Sequence, residues 1–191
     1  MIRKEGFIKI LIFSLLSILS FFISVQISVI FLFVTLFLVY FYRDPEREIC
    51  DGIVSPADGK IIHFSEKRID IFMRIFDCHV NRAPVSGVVK SVMIKKGEKV
   101  PAFVIKNNVY RNEIIIENEF GEFKIVQVAG IFARRISCFV KEGQKVKKGE
   151  KIGIIHFGSR VILEVPESVK FVVEKGRKVK AGETVAHIQT S

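Results

Sequence analysis

The sequence has few cysteines and none of the short motifs that usually mark metal or nucleotide sites. Its three cysteines, Cys50, Cys78 and Cys138, lie far apart and form no C-x-x-C pair. This excludes a scaffold built on disulfide bonds and is typical of reduced thiols in a reducing compartment. The sequence also has no H-E-x-x-H motif, no Gly-rich phosphate loop and no G-x-S-x-G nucleophile elbow. We therefore expect neither a bound metal nor nucleotide chemistry.

Charge is missing from residues 10–42, and helix-breaking residues are missing as well. Between Phe7 and Arg43 there is no Gly, Pro, Asn or Asp. One membrane-spanning helix needs roughly 20 apolar residues, so this run is too long for one upright span and short for two. Its most polar part is Ser24–Ser28. The run is either a pair of short helices that breaks near Gln26, or one long helix that is tilted or partly interfacial.

The flanks of this apolar run indicate how it is oriented. Basic residues stand on both sides, which favours two cytoplasmic ends. A cleaved signal peptide is disfavoured, because the run is about twice the usual length and no small-x-small site follows. We expect residues 1–48 to be a retained hydrophobic anchor at the cytoplasmic face of the cell membrane, followed by a single domain over residues 49–191. The flanking basic residues are Arg3, Lys4, Lys9, Arg43 and Arg47.

The overall composition limits the class of partner. The chain has 191 residues, 49% of them apolar, and a formal net charge of +10. This composition excludes a disordered chain, and the uneven spread of apolar residues excludes a polytopic membrane protein. Most of the charge lies after residue 42, so the body of the protein is basic. A basic body suits either a nucleic acid or an anionic membrane surface.

After Asp51 the pattern changes to short apolar runs with a period of two, which predicts strands. A hairpin is expected at Asn118–Gly121, and only Ile131–Phe139 has a plausible short helical interpretation. The predicted strands cover residues 59–64, 69–76, 85–94, 113–117 and 122–128.

One internal repeat refines the predicted fold. Residues 141–152 resemble residues 174–185, with two glycines and one valine at matching positions. Each copy predicts a turn, a short strand, a glycine turn and a second strand. The pattern resembles the hammerhead of lipoyl and biotinyl domains. We therefore predict a mainly β fold, a compact β-sandwich or barrel-sandwich hybrid, preceded by the helical anchor.

Three polar segments could carry chemistry. Asp58 lies in the Pro/Gly turn of residues 54–60, His79 in the polar loop of residues 77–87, and Ser159 in the only Gly-Ser step of the chain. Taken singly, each is typical of an ordinary turn or core residue.

In order and composition, these segments resemble the phosphatidylserine decarboxylases of the short, single-domain type, including archaeal archaetidylserine decarboxylases. The resemblance covers nearly the whole chain, and five motifs occur in the family's order. They are Phe41-Tyr-Arg-Asp-Pro45, Ser55-Pro-Ala-Asp-Gly59, Asp77-Cys-His-Val-Asn-Arg-Ala-Pro84, Ala129-Gly130 with Ala133-Arg-Arg135, and Phe157-Gly-Ser-Arg160.

The resemblance implies a zymogen that cuts itself and decarboxylates a serine phospholipid. Ser159 would attack the carbonyl of Gly158, and the ester formed would break to leave a pyruvoyl group at position 159. That group would bind the substrate amine as an imine (Schiff base) and accept the electrons released with CO₂. Residues 1–158 would form the β chain and residues 159–191 the α chain, held together as a heterodimer by a shared sheet.

The same resemblance assigns roles to further residues. Asp58 would assist deprotonation of Ser159, and His79 would donate the proton that replaces CO₂. Longer bacterial members have a second histidine where this chain has Arg82, so the base for self-cleavage stays open among Asp58, His79 and His156. Arg82 could instead bind the phosphate or carboxylate of the substrate. Weaker candidates for that task are Arg134, Arg135 and Arg160.

Two other functions explain some of these features. A non-enzymatic, membrane-anchored adaptor with a lipoyl-like domain would account for the anchor and the repeat, but the chain lacks the heptads of such adaptors. A biotin or lipoate carrier would need a lysine in a Met-Lys-Met or Asp-Lys-Ala setting, which is absent. The expected partners are an anionic phospholipid, the membrane and possible further copies of the chain, with no nucleic acid. Ester-linked and ether-linked lipids share this headgroup chemistry, so the sequence does not indicate which of the two lipid classes is the substrate.

Overall fold

The computed structural model describes residues 2–98, 108–130, 135–157 and 159–189. It divides into two compact units, Met1–Glu46 and Arg47–Ser191. The first unit contains two helices, and the second contains all of the strands described below. The boundary lies two residues before the one expected from the sequence.

The first unit is a helical hairpin made of α1 (Lys4–Phe21) and α2 (Val25–Phe41). The hydroxyls of Ser17 and Ser28 each donate to the other residue's carbonyl oxygen, at 3.0 and 2.8 Å. At the open end, the backbone N–H of Arg3 donates to the carbonyl of Tyr42 at 2.9 Å. The two helices therefore run antiparallel, with both ends of the unit together.

Of the two arrangements left open by the sequence, the structure has the pair of short helices. The break lies at residues 22–24, slightly before the expected position near Gln26. In the described part of the chain, neither helix combines the length and the apolar composition that a membrane crossing requires. The helices are thus confirmed, while their role as an anchor stays a prediction.

The second unit is mainly β, as predicted. The strands are β1 (Ile53–Val54), β2 (Gly59–Ser65), β3 (Arg68–Met73), β4 (Val80–Arg82), β5 (Gly87–Lys95), β6 (Arg111–Asn118), β7 (Gly121–Ala129), β8 (Ile136–Cys138), β9 (Lys145–Val146), β10 (Lys151–Ile155), β11 (Ser159–Glu164), β12 (Val169–Phe171), β13 (Lys178–Val179) and β14 (Thr184–Ile188).

The described strands form three antiparallel sheets. The largest has eight strands in the order β13-β2-β3-β11-β7-β6-β5-β9, and the two smaller sheets have the orders β1-β14-β12 and β4-β10-β8. All five strands predicted from alternation lie in the largest sheet. The predicted hairpin is also present, since Asn118 pairs with Gly121 across a two-residue turn.

The helical interpretation of Ile131–Phe139 is wrong where the structure describes it. Residues 136–138 form β8, which pairs with β10 in the register Ile155 to Ile136. Residues 131–134 of that segment lie outside the described residues. The pairing explains the error, because the backbone groups of so short a segment are satisfied by the neighbouring strand and not by a helical turn.

The internal repeat has the structure that its sequence predicts. Its first copy contains β9 and β10, and its second contains β13 and β14. The matching glycines of the two copies all have positive φ, between 80° and 99°, a conformation that side chains with a Cβ rarely adopt. The turns of both copies therefore depend on glycine in the same way.

The large sheet has an inner face against the main core and an outer face with a smaller cluster. Inner-face side chains include Ile71, Val161, Ile114 and Ile125, all fully buried. Towards one end of the sheet, this apolar face gives way to polar side chains. They are Ser159 on β11, Gln127 on β7 and Asn112 on β6, each with no exposed area. This polar end of the core is where the candidate site lies.

Candidate active site

Ser159 is the first residue of β11, a central strand with neighbours on both sides. It lies opposite Met73 of β3 and Ala129 of β7. Its side chain is fully buried, and its hydroxyl donates to the thioether sulfur of Met73 at 3.2 Å. A thioether is a weak acceptor that cannot take the proton away. Met73 thus orients the Ser159 hydroxyl without activating it.

The chain reaches Ser159 through an abrupt change of direction. The strand β10 ends at Ile155 in a small sheet, and β11 begins in the large one only four residues later. Within this crossing, Phe157 has a φ of 59°, in the left-handed region that non-glycine residues seldom occupy. Backbone strain of this kind is common at reactive sites. Gly158, the predicted cleavage site, lies outside the described residues.

His79 is fully buried just before β4. Its Nδ1 lies 2.8 Å from the carbonyl oxygen of Asp77, which can only accept a hydrogen bond. Nδ1 therefore carries the proton of the neutral ring, and Nε2 carries the lone pair. The backbone carbonyl of His79 accepts from the N–H of Ile155, so the segment continues the β4 ladder.

Asn81 links the His79 segment to Ser159. Its Nδ2 lies 3.8 Å from the Met73 sulfur, the atom that also accepts from Ser159. Side chains two apart along extended chain point to the same face, so His79 and Asn81 face the same interior space. The structure therefore connects the Ser159 hydroxyl with Asn81 through the Met73 sulfur, and His79 is a buried residue two positions before Asn81.

Asp58 lies at the same end of the large sheet but on a different strand pair. It directly precedes β2, which β3 separates from β11. One carboxylate oxygen accepts from the backbone N–H of Ala181 at 2.9 Å, and the other accepts from the guanidinium of Arg47. Two strand spacings amount to roughly 10 Å, so Asp58 and Ser159 are neighbours without a direct hydrogen bond. The sequence did not single out Arg47 as a partner of Asp58.

The predicted substrate-binding arginines lie in different surroundings. Arg82 is buried and donates to the carbonyl of Gly149 at 2.9 Å. It alternates with Asn81 along β4 and so points away from the Met73 sulfur. Arg135 is exposed, and its carbonyl accepts from the N–H of His156. Arg134 lies outside the described residues.

Arg160 follows Ser159 but faces the other side of the sheet. Its guanidinium is 1% exposed and lies 3.5 Å from the Asp70 carboxylate, which also accepts two hydrogen bonds from Arg68. Burial lowers the pKa of Arg160, against the opposing attraction of Asp70. The hydrogen bond to Asp70 raises the pKa of Arg68. The described contacts of Arg160 thus tie β11 to β3 on the outer face.

His156, the remaining candidate base, is also buried next to the site. Its Nε2 lies 3.1 Å from the hydroxyl of Ser137 on β8. That contact ties the residue to the small sheet, two positions before the predicted cleavage site.

Comparison with known proteins agrees with this geometry. The family model described as phosphatidylserine decarboxylase matches residues 34–70 and 65–187. A protein of Archaeoglobus fulgidus named as an archaetidylserine decarboxylase proenzyme is 54% identical over 97% of this chain and 95% of its own length. A protein of the same name from Methanococcoides burtonii is 44% identical over 81% of this chain and 76% of its own.

A bacterial relative extends the similarity beyond archaea. The phosphatidylserine decarboxylase proenzyme of Ehrlichia chaffeensis is 41% identical over 98% of this chain and 92% of its own length. The matches to relatives span both the helical unit and the segments that contain Ser159, Asp58 and His79. Matches of this extent and identity identify the chain as a member of the phosphatidylserine decarboxylase family.

Proposed function

We propose that this chain is a self-processing enzyme that removes CO₂ from the serine headgroup of phosphatidylserine or archaetidylserine. The observation that carries the proposal is the fully buried Ser159 hydroxyl on the Met73 sulfur, which Asn81, two residues after His79, also contacts. The names of the relatives support both lipid classes, which share the headgroup. A non-enzymatic adaptor would not require a buried serine and histidine at the polar end of the core.

Self-processing would begin with attack of the Ser159 hydroxyl oxygen on the carbonyl carbon of Gly158. The amide nitrogen of residue 159 leaves and takes up the hydroxyl proton, so the peptide bond becomes an ester. Loss of the Cα proton of residue 159 then expels the carboxylate of Gly158. The remaining dehydroalanine takes up water and releases ammonia, which leaves a pyruvoyl group at the start of the second chain.

The surroundings of Ser159 fit such a group. Position 159 is fully buried on a central strand, and its main-chain neighbours hold it on both sides. A pyruvoyl carbonyl there supplies the electron sink that no ordinary side chain offers to a carbanion. The enclosed site would exclude bulk water from the reaction.

His79 is the side chain best suited to handle the proton of decarboxylation. Its Nδ1–H is held by Asp77, which leaves Nε2 as the atom that exchanges a proton. Asp58 would act on Ser159 as a nearby fixed negative charge, since its oxygens already accept from Arg47 and Ala181. Its effect would then be electrostatic, because its negative charge would stabilise the positive charge that a histidine base such as His156 gains when it accepts the hydroxyl proton.

We also propose that the helical unit anchors the enzyme at the cytoplasmic face of the cell membrane. Many large apolar side chains of the helical unit are exposed, including Phe7, Leu11, Phe22 and Phe33. The net charge of +10 would favour an anionic lipid surface. The mature protein would be a heterodimer of residues 1–158 and 159–191 in a lipoyl-like barrel-sandwich fold, with further association of copies possible through sheet edges.

Denaturing mass spectrometry of the purified protein tests the proposal. We expect one fragment ending at Gly158 and a second fragment that starts with a pyruvoyl group. The variant Ser159→Ala should remain a single inactive chain. The matched control Ser168→Ala removes a hydroxyl that caps the carbonyl of Phe120 at 3.0 Å, and it should be cut normally. An active wild-type preparation that stays uncut would refute self-processing.

Two further variants separate the roles of the other side chains. Asp58→Asn keeps the shape but removes the charge, so self-cleavage should slow by at least about tenfold. His79→Ala should still be cut, with decarboxylation of the mature enzyme reduced by a factor on the order of 10². Cleavage and turnover that fall together in both variants would contradict this division.

A further inference from the structure

We propose that three buried amides form a positioning device that fixes the Met73 sulfur and, through it, the Ser159 hydroxyl for self-cleavage. These amides, Asn112, Gln127 and Asn81, are called the amide ladder below. The inference rests on the proposed function, because it concerns the step in which Ser159 attacks its neighbour. It assigns a task to three residues that had no predicted role, of which only Asn81 lies within one of the five motifs.

The amide ladder is a continuous row of hydrogen bonds. Nδ2 of Asn112 donates to Oε1 of Gln127 at 2.9 Å, and Nε2 of Gln127 donates to Oδ1 of Asn81 at 2.7 Å. Nδ2 of Asn81 then contacts the Met73 sulfur at 3.8 Å, and Ser159 reaches the same sulfur at 3.2 Å. All donors of the row point towards Met73.

The ladder places polar amide groups in the core, where each must form hydrogen bonds to avoid destabilising the fold. All three amides and both residues at its end have no exposed area. Moving an amide from water into a core without hydrogen bonds destabilises the folded protein. Paired amides avoid most of this cost but add little over a well-packed apolar core. Within the ladder, the acceptor oxygen without a hydrogen bond is Oδ1 of Asn112, at the end remote from Ser159.

One link of the ladder joins two sheets that share no strand pairing among the described residues. Asn81 belongs to the small sheet β4-β10-β8, whereas Gln127, Met73 and Ser159 belong to the large sheet. The bond between Asn81 and Gln127 is the ladder's link between these two sheets. Buried networks of this kind favour one relative placement of the elements they connect. The ladder therefore sets where Met73 lies when Ser159 must attack.

Gln127 is the member whose replacement tests the ladder most directly, because both of its neighbours in the row depend on it. Gln127→Met keeps most of the length and volume but removes both hydrogen bonds. We expect self-cleavage of the full chain, followed from its synthesis in a cell-free reaction, to slow by at least about tenfold. Gln144→Met makes the same change at a turn residue bonded to Glu150, and it should be cut at the wild-type rate.

A second variant separates positioning from loss of stability. Gln127→Glu has nearly the same shape, and a protonated carboxyl group can still donate to Asn81 and accept from Asn112. Its neighbours Asn81, Asn112, Val161 and Gly153 carry no charge, so burial should raise the pKa of the new carboxyl group. The rate relative to wild type should be restored at low pH and fall as the pH rises through that pKa.

The outcomes distinguish the ladder from the proposed function. If wild type is not cut at all, the proposed function fails. If wild type is cut, Ser159→Ala is not, and Gln127→Met is cut at the wild-type rate, only the positioning role is refuted. The positioning role is also refuted if Gln127→Met is cut slowly and Gln127→Glu is cut equally slowly at every pH. Restoring the hydrogen bonds of the ladder would then not restore the cleavage rate. Thermal unfolding of Ser159→Ala precursors carrying each substitution checks that the variants are folded.

Discussion

At the scale of single residues, the sequence marks the candidate reacting groups better than the side chains around them. Ser159, Asp58 and His79 stand in recognisable motifs, and all three are buried. The amide ladder was not predicted, because Asn81, Gln127 and Asn112 lie on separate strands and no local pattern shows that they meet. Arg160 follows Ser159 in sequence, but strand alternation turns its side chain to the outer face, where it contacts Asp70. Its role in substrate binding stays a prediction.

Gly153 offers a residue-scale prediction about the core beside the ladder. A Cβ at this position of β10 would lie 2.7 Å from Nε2 of Gln127 and 2.8 Å from the carbonyl oxygen of Ser137. Because the second neighbour is backbone, the clash cannot be relieved by a side-chain rotation alone. We expect Gly153→Ala to lower the free energy of unfolding by about 1–3 kcal/mol and to slow self-cleavage. Chemical denaturation and the cleavage assay measure the two effects.

Gly143→Ala provides the comparison. Its Cβ would meet nothing within 4 Å, although φ is 80°. It should therefore cost only the strain of a left-handed residue, about 1 kcal/mol, and leave the cleavage rate unchanged. Equal cleavage rates for the two variants would show that close packing of β10 on Gln127 does not matter.

At the scale of elements, residue patterns predict most strands but not all pairings. Alternation of apolar side chains marks the long strands of the large sheet, because one face of each is buried. It fails for β8, whose three residues form a strand through pairing with β10. The helical hairpin is predictable in kind from the length of the apolar run. The position of the turn between its two helices is harder to predict, because residues 22–24 contain no Gly or Pro.

The hairpin carries the element-scale prediction. The full chain should float with vesicles that contain anionic phospholipid, and a chain that begins at Arg47 should not do so at physiological salt. The shorter chain retains most of the positive charge, so it should bind weakly at low ionic strength only. Because the second unit has its own core, the shorter chain should still cut itself. Flotation of both chains to the same extent at physiological salt would exclude the hairpin as the anchor.

At the scale of the whole molecule, the large sheet combines strands from both sides of the predicted cleavage site. The strand β11 pairs with β3 and β7, and β13 pairs with β2; in a small sheet, β14 pairs with β1. Among the described strands, only the pairing of β12 with β14 would lie within the shorter chain. The shared sheet follows from motif order and strand prediction together, whereas the position of β11 at its centre required the structure.

The two chains should therefore remain together after cleavage. We expect both fragments to elute in one peak from a size-exclusion column under native conditions and to separate only in denaturant. Separation should coincide with loss of the β signal in circular dichroism, because the interface is the sheet itself. Release of residues 159–191 from a protein that keeps its native spectrum would contradict this arrangement.

Because Ser159 lies on a central strand, self-cleavage would require that the large sheet has already formed. Met73, which holds the serine hydroxyl, lies 86 residues earlier in the chain. A chain in which β3 has not yet met β11 lacks the surroundings needed for attack, so an unassembled precursor stays whole. Each cut molecule has thus passed through the assembled sheet at least once, and the ratio of cut to uncut chain reports irreversibly on folding in the cell. A destabilising substitution anywhere in the large sheet should therefore increase the fraction of uncut precursor, even when the residues of the candidate site are unchanged.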